Sequence, residues 1–75
     1  MSQKNKINIK EIENSSEKDI LMYLNRKGNC IYGEIIKNLK LPNSRGQEAI
    51  YSLLSKGLIK HKDRSSVIEL NVEIN

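Results

Sequence analysis

Polar side chains between residues 43 and 55 have the spacing of one helix face and the chemistry to form hydrogen bonds with a partner. On a helix, their intervals of three and four residues place them on one outer face, away from the apolar residues of the same segment. In a DNA groove, glutamine can bond adenine, arginine can bond guanine, and glutamate can accept from cytosine. The segment therefore predicts a helix that contacts DNA, and a solvated helix face is the alternative. The candidate contacts are Asn43, Ser44, Arg45, Gln47, Glu48, Tyr51 and Ser55.

A second candidate group is the basic, polar segment 60–66, which lies between two apolar segments. A basic hairpin tip contacts phosphates or enters a minor groove, whose negative potential attracts arginine. An ordinary polar hairpin is the alternative. His61 has no second ligand at metal spacing, so we interpret it as a phosphate donor or a surface residue. The further candidate phosphate contacts are Lys37, Lys40, Arg45, Lys60, Lys62, Arg64, Ser65 and Ser66.

The positive charge is concentrated in the same part of the chain. The formal net charge is +4, but residues 37–64 hold seven Lys and Arg residues against two acidic residues, a net +5. The remainder of the chain therefore carries a net −1. A basic excess on these two segments is where a polyanion would bind, although a lysine-rich solvated surface would have a similar composition.

Several other classes of function lack the residues that they require. The chain has no glycine-rich phosphate loop, no Cys/His nucleophile pair and no cluster of metal ligands, which indicates a protein that is not an enzyme and has no cofactor or small-molecule ligand. Cys30 is the only cysteine, which fits a reducing compartment and a structural role. No apolar run approaches the roughly 18 residues of a membrane span, and no signal peptide is evident. We expect a cytoplasmic or nucleoid-associated protein.

At 75 residues, the chain has room for one small domain, which we assign to residues 16–75. Residues 1–15 form a polar arm in which Ile7 and Ile9 predict a short strand, with a helical turn as the alternative. A first helix is capped by Ser15 or Ser16 and stops at Gly28. Residues 29–31 are sufficient for a one-bridge strand, and a second helix over residues 33–39 buries its apolar side chains.

Pro42 ends the second helix and turns the chain. Ser44 and Gln47 predict a capping box for a third helix, with Asn43 as the alternative cap, and Gly57 stops that helix. Gly46 lies on the inner face, although glycine in a helix costs about 1 kcal/mol relative to alanine. It indicates either close packing against helix two or a side chain such as Tyr32, or a weak helix start; we expect close packing.

From residue 58 the apolar period changes to two, which predicts a β-hairpin with its turn at residues 62–66. The strand after the turn alternates apolar and polar residues through Ile74, so its apolar face is longer than a hairpin needs. The arm residues Ile7 and Ile9 would cover this face, either in the same chain or from a twofold partner.

The pattern Leu39-x-Leu41-Pro42, Ala49-Ile50, Leu53 and Gly57-Leu58-Ile59 resembles the winged helix–turn–helix superfamily of small bacterial and phage regulators. The resemblance covers residues 16–72. It implies an α+β fold with three helices and a two-stranded β-hairpin wing, in which the helix over residues 43–56 enters the major groove and residues 60–66 contact the backbone.

Part of the chain also resembles the domains that bind Z-form nucleic acid. The similar segments are Ile20-Leu21-x-Tyr23-Leu24, Pro42, Ile50-Tyr51-Ser52-Leu53 and Lys56-Gly57. Tyr51 falls on the base-stacking tyrosine of that family. Gln47 and Glu48 replace its key asparagine and the following arginine, and Ser66, Val67 and Glu69 replace the wing prolines and tryptophan that orient the tyrosine.

Three hypotheses follow from these patterns. The leading one is a protein that binds double-stranded DNA, a transcriptional regulator or a phage or plasmid accessory factor, and that pairs as a homodimer because one module contacts few base pairs. The second is a winged-helix module that binds an acidic protein. The third is a binder of Z-form nucleic acid.

Overall fold

The computed structural model describes residues 5–63 and 65–74, and Arg64 therefore lies outside the described residues. These residues form an α+β fold with three α-helices, as the sequence predicts at this level. In chain order the elements are β1 (Asn5–Ile7), a 3-10 turn (Ile9–Glu11), α1 (Ser15–Lys27), β2 (Asn29–Ile31), α2 (Tyr32–Leu39), α3 (Asn43–Ser55), β3 (Ile59–His61), β4 (Val67–Leu70) and β5 (Val72–Ile74).

Helix α1 begins at Ser15, and its N-cap is Asn14, one residue before the predicted cap. The side chain of Asn14 accepts a hydrogen bond from the Glu17 N–H at 3.0 Å, which satisfies one of the free donors of the first turn. Gly28 ends the helix at a φ of 97°, a conformation that glycine adopts without steric cost. The predicted stop at Gly28 is confirmed, whereas the predicted cap at Ser15 or Ser16 is wrong.

Helices α2 and α3 are joined by a tight turn. The Leu41 N–H donates to the Ile36 carbonyl at 3.2 Å, and Lys40 occupies the left-handed position, at a φ of 55°, where a glycine is more usual. Pro42 is the last non-helical residue before α3, and no side chain caps that helix. The predicted capping box of Ser44 and Gln47 is therefore wrong, because the helix starts at Asn43 and both residues lie inside it.

Gly46 lies where α3 packs against two side chains of α2. A Cβ atom built at this position would collide with the Cδ1 atom of Ile36, and it would lie 3.1 Å from Ile36 Cγ1 and 3.4 Å from the Tyr32 hydroxyl. The predicted close packing is confirmed, and Tyr32 is one of the neighbours.

Three strands form an antiparallel sheet in the order β2-β4-β3. β2 pairs with β4 at three positions, including Cys30 opposite Ile68. The prediction of a single bridge for residues 29–31 therefore underestimated the extent of this pairing. Both Cys30 and Ile68 are buried. The predicted hairpin is confirmed as β3 and β4, in which Ile59 lies opposite Leu70.

The long strand predicted after the hairpin turn is divided in two at Asn71. The Asn71 N–H donates to the Leu58 carbonyl at 2.9 Å, and its side-chain amide donates to the Gly57 carbonyl at 3.0 Å. These bonds tie the chain to the end of α3 and redirect it. β5 then pairs in parallel with β1, with Ile7 opposite Ile74, so the arm of the same chain covers this segment.

The core lies between the three helices and the three-stranded sheet. Helix α1 contributes one buried stripe, and α2, α3 and the three strands of the sheet contribute the other buried side chains. The fully buried large side chains are Ile20, Leu21, Leu24, Ile35, Leu53, Ile59 and Ile68. No helix within residues 5–63 and 65–74 has the length and apolar character needed to cross a membrane.

Candidate functional site

The outer face of α3 presents exposed polar side chains along its whole length. Ser44, Glu48, Tyr51 and Ser55 follow one another at intervals of four, three and four residues, so they point in nearly the same direction. All four are exposed, and 69% of Tyr51 is accessible to solvent. Their direction is opposite to that of the buried residues of the helix, so a partner approaching α3 would meet these four first.

The flank of α3 that faces the hairpin is less polar. Gln47 and Tyr51 line a groove of about 240 Å³ between the helix and the hairpin, with His61 on the far side. The other lining residues are Tyr32, Ile50, Leu54 and Ile68. The groove therefore combines an apolar floor with an amide, a phenol and an imidazole at its rim.

The opposite flank of α3 faces the first turn of α1. Arg45, Glu48 and Ser52 line a polar cleft of about 340 Å³ together with residues 14–17. Arg45 and Gln47, which the sequence assigns to one surface, therefore lie on opposite sides of the helix. Glu48 borders the cleft and also belongs to the outermost stripe.

Asn43 has a structural contact at the start of α3. The hydroxyl of Tyr32 lies 3.1 Å from the Asn43 side-chain oxygen and 3.3 Å from its main-chain oxygen. This contact connects the first residue of α2 to the first residue of α3. Asn43 is exposed, so its amide nitrogen and the second lone pair of its side-chain oxygen stay available to a partner.

The hairpin turn is held by its own polar groups. The Ser65 hydroxyl donates to the Lys62 carbonyl at 2.7 Å and accepts from the Val67 N–H at 3.2 Å, and the Lys62 N–H donates to the Val67 carbonyl at 2.8 Å. Ser65 therefore stabilises the turn, a role that the sequence prediction did not include. The side chain of Lys62 remains exposed at the tip.

The candidate basic residues differ in whether an acidic side chain lies opposite them. Lys60 is exposed, but it lies directly opposite Glu69 in the hairpin, and the neighbouring His61 faces the other side of β3 toward the α3 groove. Lys40 is exposed in the turn before α3. The predicted contact at Arg64 lies outside the described residues. Among the described candidates, Lys37, Lys40, Arg45 and Lys62 are exposed, and none of them lies opposite an acidic residue in a strand pair.

One ion pair was missed by the sequence prediction. Lys56, at the end of α3, lies 2.8 Å from a carboxylate oxygen of Glu17, whose side chain is only 7% exposed. Glu17 precedes the buried residues Ile20, Leu21 and Leu24 by three, four and seven positions, so the helical period could have indicated its burial. Lys56 belongs to the basic segment in sequence, but it is neutralised within the fold.

We expect the two halves of this pair to differ in importance. Lys56→Met should lower the free energy of unfolding by about 1–3 kcal/mol, because it leaves a buried carboxylate without a partner. Glu17→Met should cost less, because the half-exposed Lys56 ammonium can be hydrated. Urea unfolding of both variants, with Lys60→Met as the control, tests this expectation. Equal losses for Lys56→Met and Glu17→Met would contradict it.

Cys30 has the surroundings of a structural cysteine. Only 6% of its surface is accessible. Burial raises the pKa of the Cys30 thiol, and the neighbouring Glu34 raises that pKa further. The thiol is therefore protonated near neutral pH, when it is a poor nucleophile and a poor metal ligand. Within the part of the chain that the structure describes, no group of His, Cys, Asp and Glu side chains could hold a metal ion.

Comparisons with known proteins did not assign this chain to a family. No family model, curated protein or solved structure matched the chain.

Proposed function

We propose that this chain is a winged helix–turn–helix protein that binds duplex DNA, with α3 in the major groove and the β3–β4 hairpin against the phosphate backbone. The observation that carries the proposal is the state of the outer α3 side chains. The side chains of Ser44, Gln47 and Tyr51 make no hydrogen bond to any residue within 5–63 and 65–74, and each residue is exposed. Their donors and acceptors are therefore available to base edges.

The dimensions of the elements support this mode of binding. α3 has 13 residues and is about 20 Å long, and the B-DNA major groove, about 12 Å wide, admits one α-helix. The α2–α3 turn and the hairpin lie at the two ends of this helix in sequence, and each carries an exposed lysine, Lys40 and Lys62. Exposed lysines in the segments that flank a groove-bound helix would contact phosphates that border the groove.

Two side chains of α3 receive different roles. Arg45 lies on the flank toward α1, which suits a contact with phosphate. Glu48 lies on the outermost stripe and would meet the floor of the groove, where a carboxylate accepts from the cytosine amino group and is repelled by phosphates. This combination favours contact with a particular sequence over binding to any duplex. Such a protein would serve as a transcriptional regulator or as an accessory factor of a phage or plasmid.

The first experiment is fluorescence anisotropy of a labelled mixed-sequence duplex, titrated with the protein at several salt concentrations. We expect micromolar binding that weakens steeply as salt rises, because phosphate contacts release counterions. Selection of preferred duplexes from a random pool then identifies the sequence. Absence of binding at low salt would contradict the proposal and make an acidic protein the leading partner.

A circular dichroism titration of an alternating guanine–cytosine duplex separates the third hypothesis. Under the proposal the spectrum keeps the right-handed form as protein is added. Inversion of the spectrum would instead show that the protein stabilises Z-form DNA.

Gln47→Ala is expected to remove discrimination at one base position. The amide is exposed on α3 and has no internal partner, so its loss should cost about 1–3 kcal/mol on the preferred duplex and much less on a duplex changed at that position. Anisotropy on both duplexes measures the difference. Asn5→Ala, which removes an exposed amide from β1, is the matched control. An equal loss on both duplexes would show that Gln47 does not contact a base.

A further inference from the structure

A second surface lies on the outer face of α1, on the side away from the core. Asp19, Met22 and Arg26 are spaced by three and four residues, so they share one face of the helix. All three are exposed. The accessible fraction of Met22 is 53%, which makes it one of three large hydrophobic residues among those described that are at least half accessible to solvent. The residues around Met22 show whether it is an isolated exposed side chain or part of a larger surface.

Met22 borders a groove that is lined by both apolar and polar side chains. The groove has a volume of about 500 Å³, and its walls include three half-buried side chains from other elements. Those side chains are Ile9 of the 3-10 turn, Leu39 of α2 and Ile74 of β5. Four elements therefore meet here, and the exposed methionine projects beside the groove. An apolar surface built from several elements marks an interaction site more often than a single exposed residue does.

The charges that border this surface are arranged for a twofold partner. Asp19 and Arg26 are seven residues apart on α1, about 10 Å along the helix axis, with Met22 and Tyr23 between them. Neither forms an ion pair with any residue in the described ranges. Consider a second copy of the same helix, antiparallel to the first and related to it by a twofold axis at the level of residues 22 and 23. Arg26 of each copy then lies opposite Asp19 of the other.

We propose that this face is the surface on which two copies of the chain pair, α1 against α1 in antiparallel orientation. The twofold axis then forms two Asp19–Arg26 ion pairs and brings the two Met22 side chains together over the grooves. A twofold interface uses the same patch on both subunits, so the patch must be complementary to itself. The order acid, methionine, base has this property, and this is why a second copy, rather than an unrelated protein, is the occupant.

The pairing is compatible with DNA binding but does not rest on it. No residue of α3 lines the groove beside Met22 among the described residues, so the outer stripe of α3 stays exposed in both copies. The pair would present two α3 helices, which increases the number of base pairs contacted. Since oligomeric state is measured without DNA, failure of DNA binding would leave the test of this interface unaffected.

The test is sedimentation equilibrium across micromolar concentrations, applied to the native chain and to charge-reversed variants. We expect the native chain to change from monomer to dimer as its concentration rises. Asp19→Arg and Arg26→Asp should each remain monomeric, because each places like charges opposite one another. The double variant, which exchanges the two charges, should dimerise again. Met22→Glu should be monomeric.

Lys27→Asp is the matched control for Arg26→Asp. It makes the same change in charge on the adjacent residue, whose side chain points about 100° away around the helix, and it should leave dimerisation unchanged. All the substituted residues are exposed, and circular dichroism verifies that each variant is folded. A native chain that stays monomeric, a dimer that persists in Met22→Glu, or a double variant that fails to dimerise would each overturn the proposal.

Discussion

Gly46→Val is expected to lower the free energy of unfolding by roughly 1–3 kcal/mol, the range typical of overpacking a well-packed interior. The glycine lies where α3 crosses α2, and even a Cβ atom would collide with Ile36 Cδ1. A valine adds two methyl groups in the same space, next to the Tyr32 hydroxyl, so the two helices must separate or Ile36 must leave its position. Urea unfolding measures the change.

Gly46→Ala is the graded control. Alanine gains up to about 1 kcal/mol over glycine from helix propensity, and its single methyl group meets the flexible end of the half-buried Ile36 side chain. We expect this variant to differ little from the native chain. Ile36→Val, which deletes the colliding methyl group, should cost less in the Gly46→Ala background than in the native one, a coupling that a double-mutant cycle measures. A Gly46→Val variant more stable than the native chain would disprove the close-packing explanation.

The same packing affects the candidate site. The Tyr32 hydroxyl beside Gly46 also bonds to Asn43, so the position of α3 depends on this contact between the helices. If α3 enters a DNA groove as proposed, a valine that displaces α3 should also weaken DNA binding, although residue 46 itself is buried.

The double variant Lys40→Gln, Lys62→Gln is expected to weaken binding to every duplex and to reduce its dependence on salt. Each phosphate contact contributes about 0.9 to the slope of log K against log salt concentration, so the slope should become shallower by about 2. Both lysines are exposed and neither lies opposite an acidic residue across a strand. Glutamine at position 40 also keeps a non-glycine residue in the left-handed conformation, so stability should change little.

Lys6→Gln, Lys10→Gln is the matched control, because it removes the same charge from exposed positions on β1 and the 3-10 turn. Its salt slope should stay close to that of the native chain. Equal reductions in the two double variants would mean that net charge, and not contact at these positions, controls binding. Together with Gln47→Ala, this pair separates contacts with phosphates from contacts with bases.

The three helices and the β3–β4 hairpin were predictable because their signals are local. Pro42 lies in the turn between α2 and α3, Gly28 and Gly57 stop α1 and α3, and the apolar period changes from helical to extended after Leu58. Burial of the inner face of α3 also followed from its spacing. The boundaries at helix starts were less predictable, because several polar residues near residues 14–16 and 42–44 can precede a helix and the sequence does not rank them.

The sequence by itself determined this protein's helices, its hairpin and the polar outer face of α3, because each depends on residues a few positions apart. Only the tertiary structure decided how that face divides, with Gln47 toward the hairpin and Arg45 toward α1. It also decided the pairing of β1 with β5 and the neutralisation of Lys56 by Glu17, 39 positions away. These features depend on which distant segments meet, and packing of the whole chain selects those contacts, whereas local propensity and periodicity do not specify them.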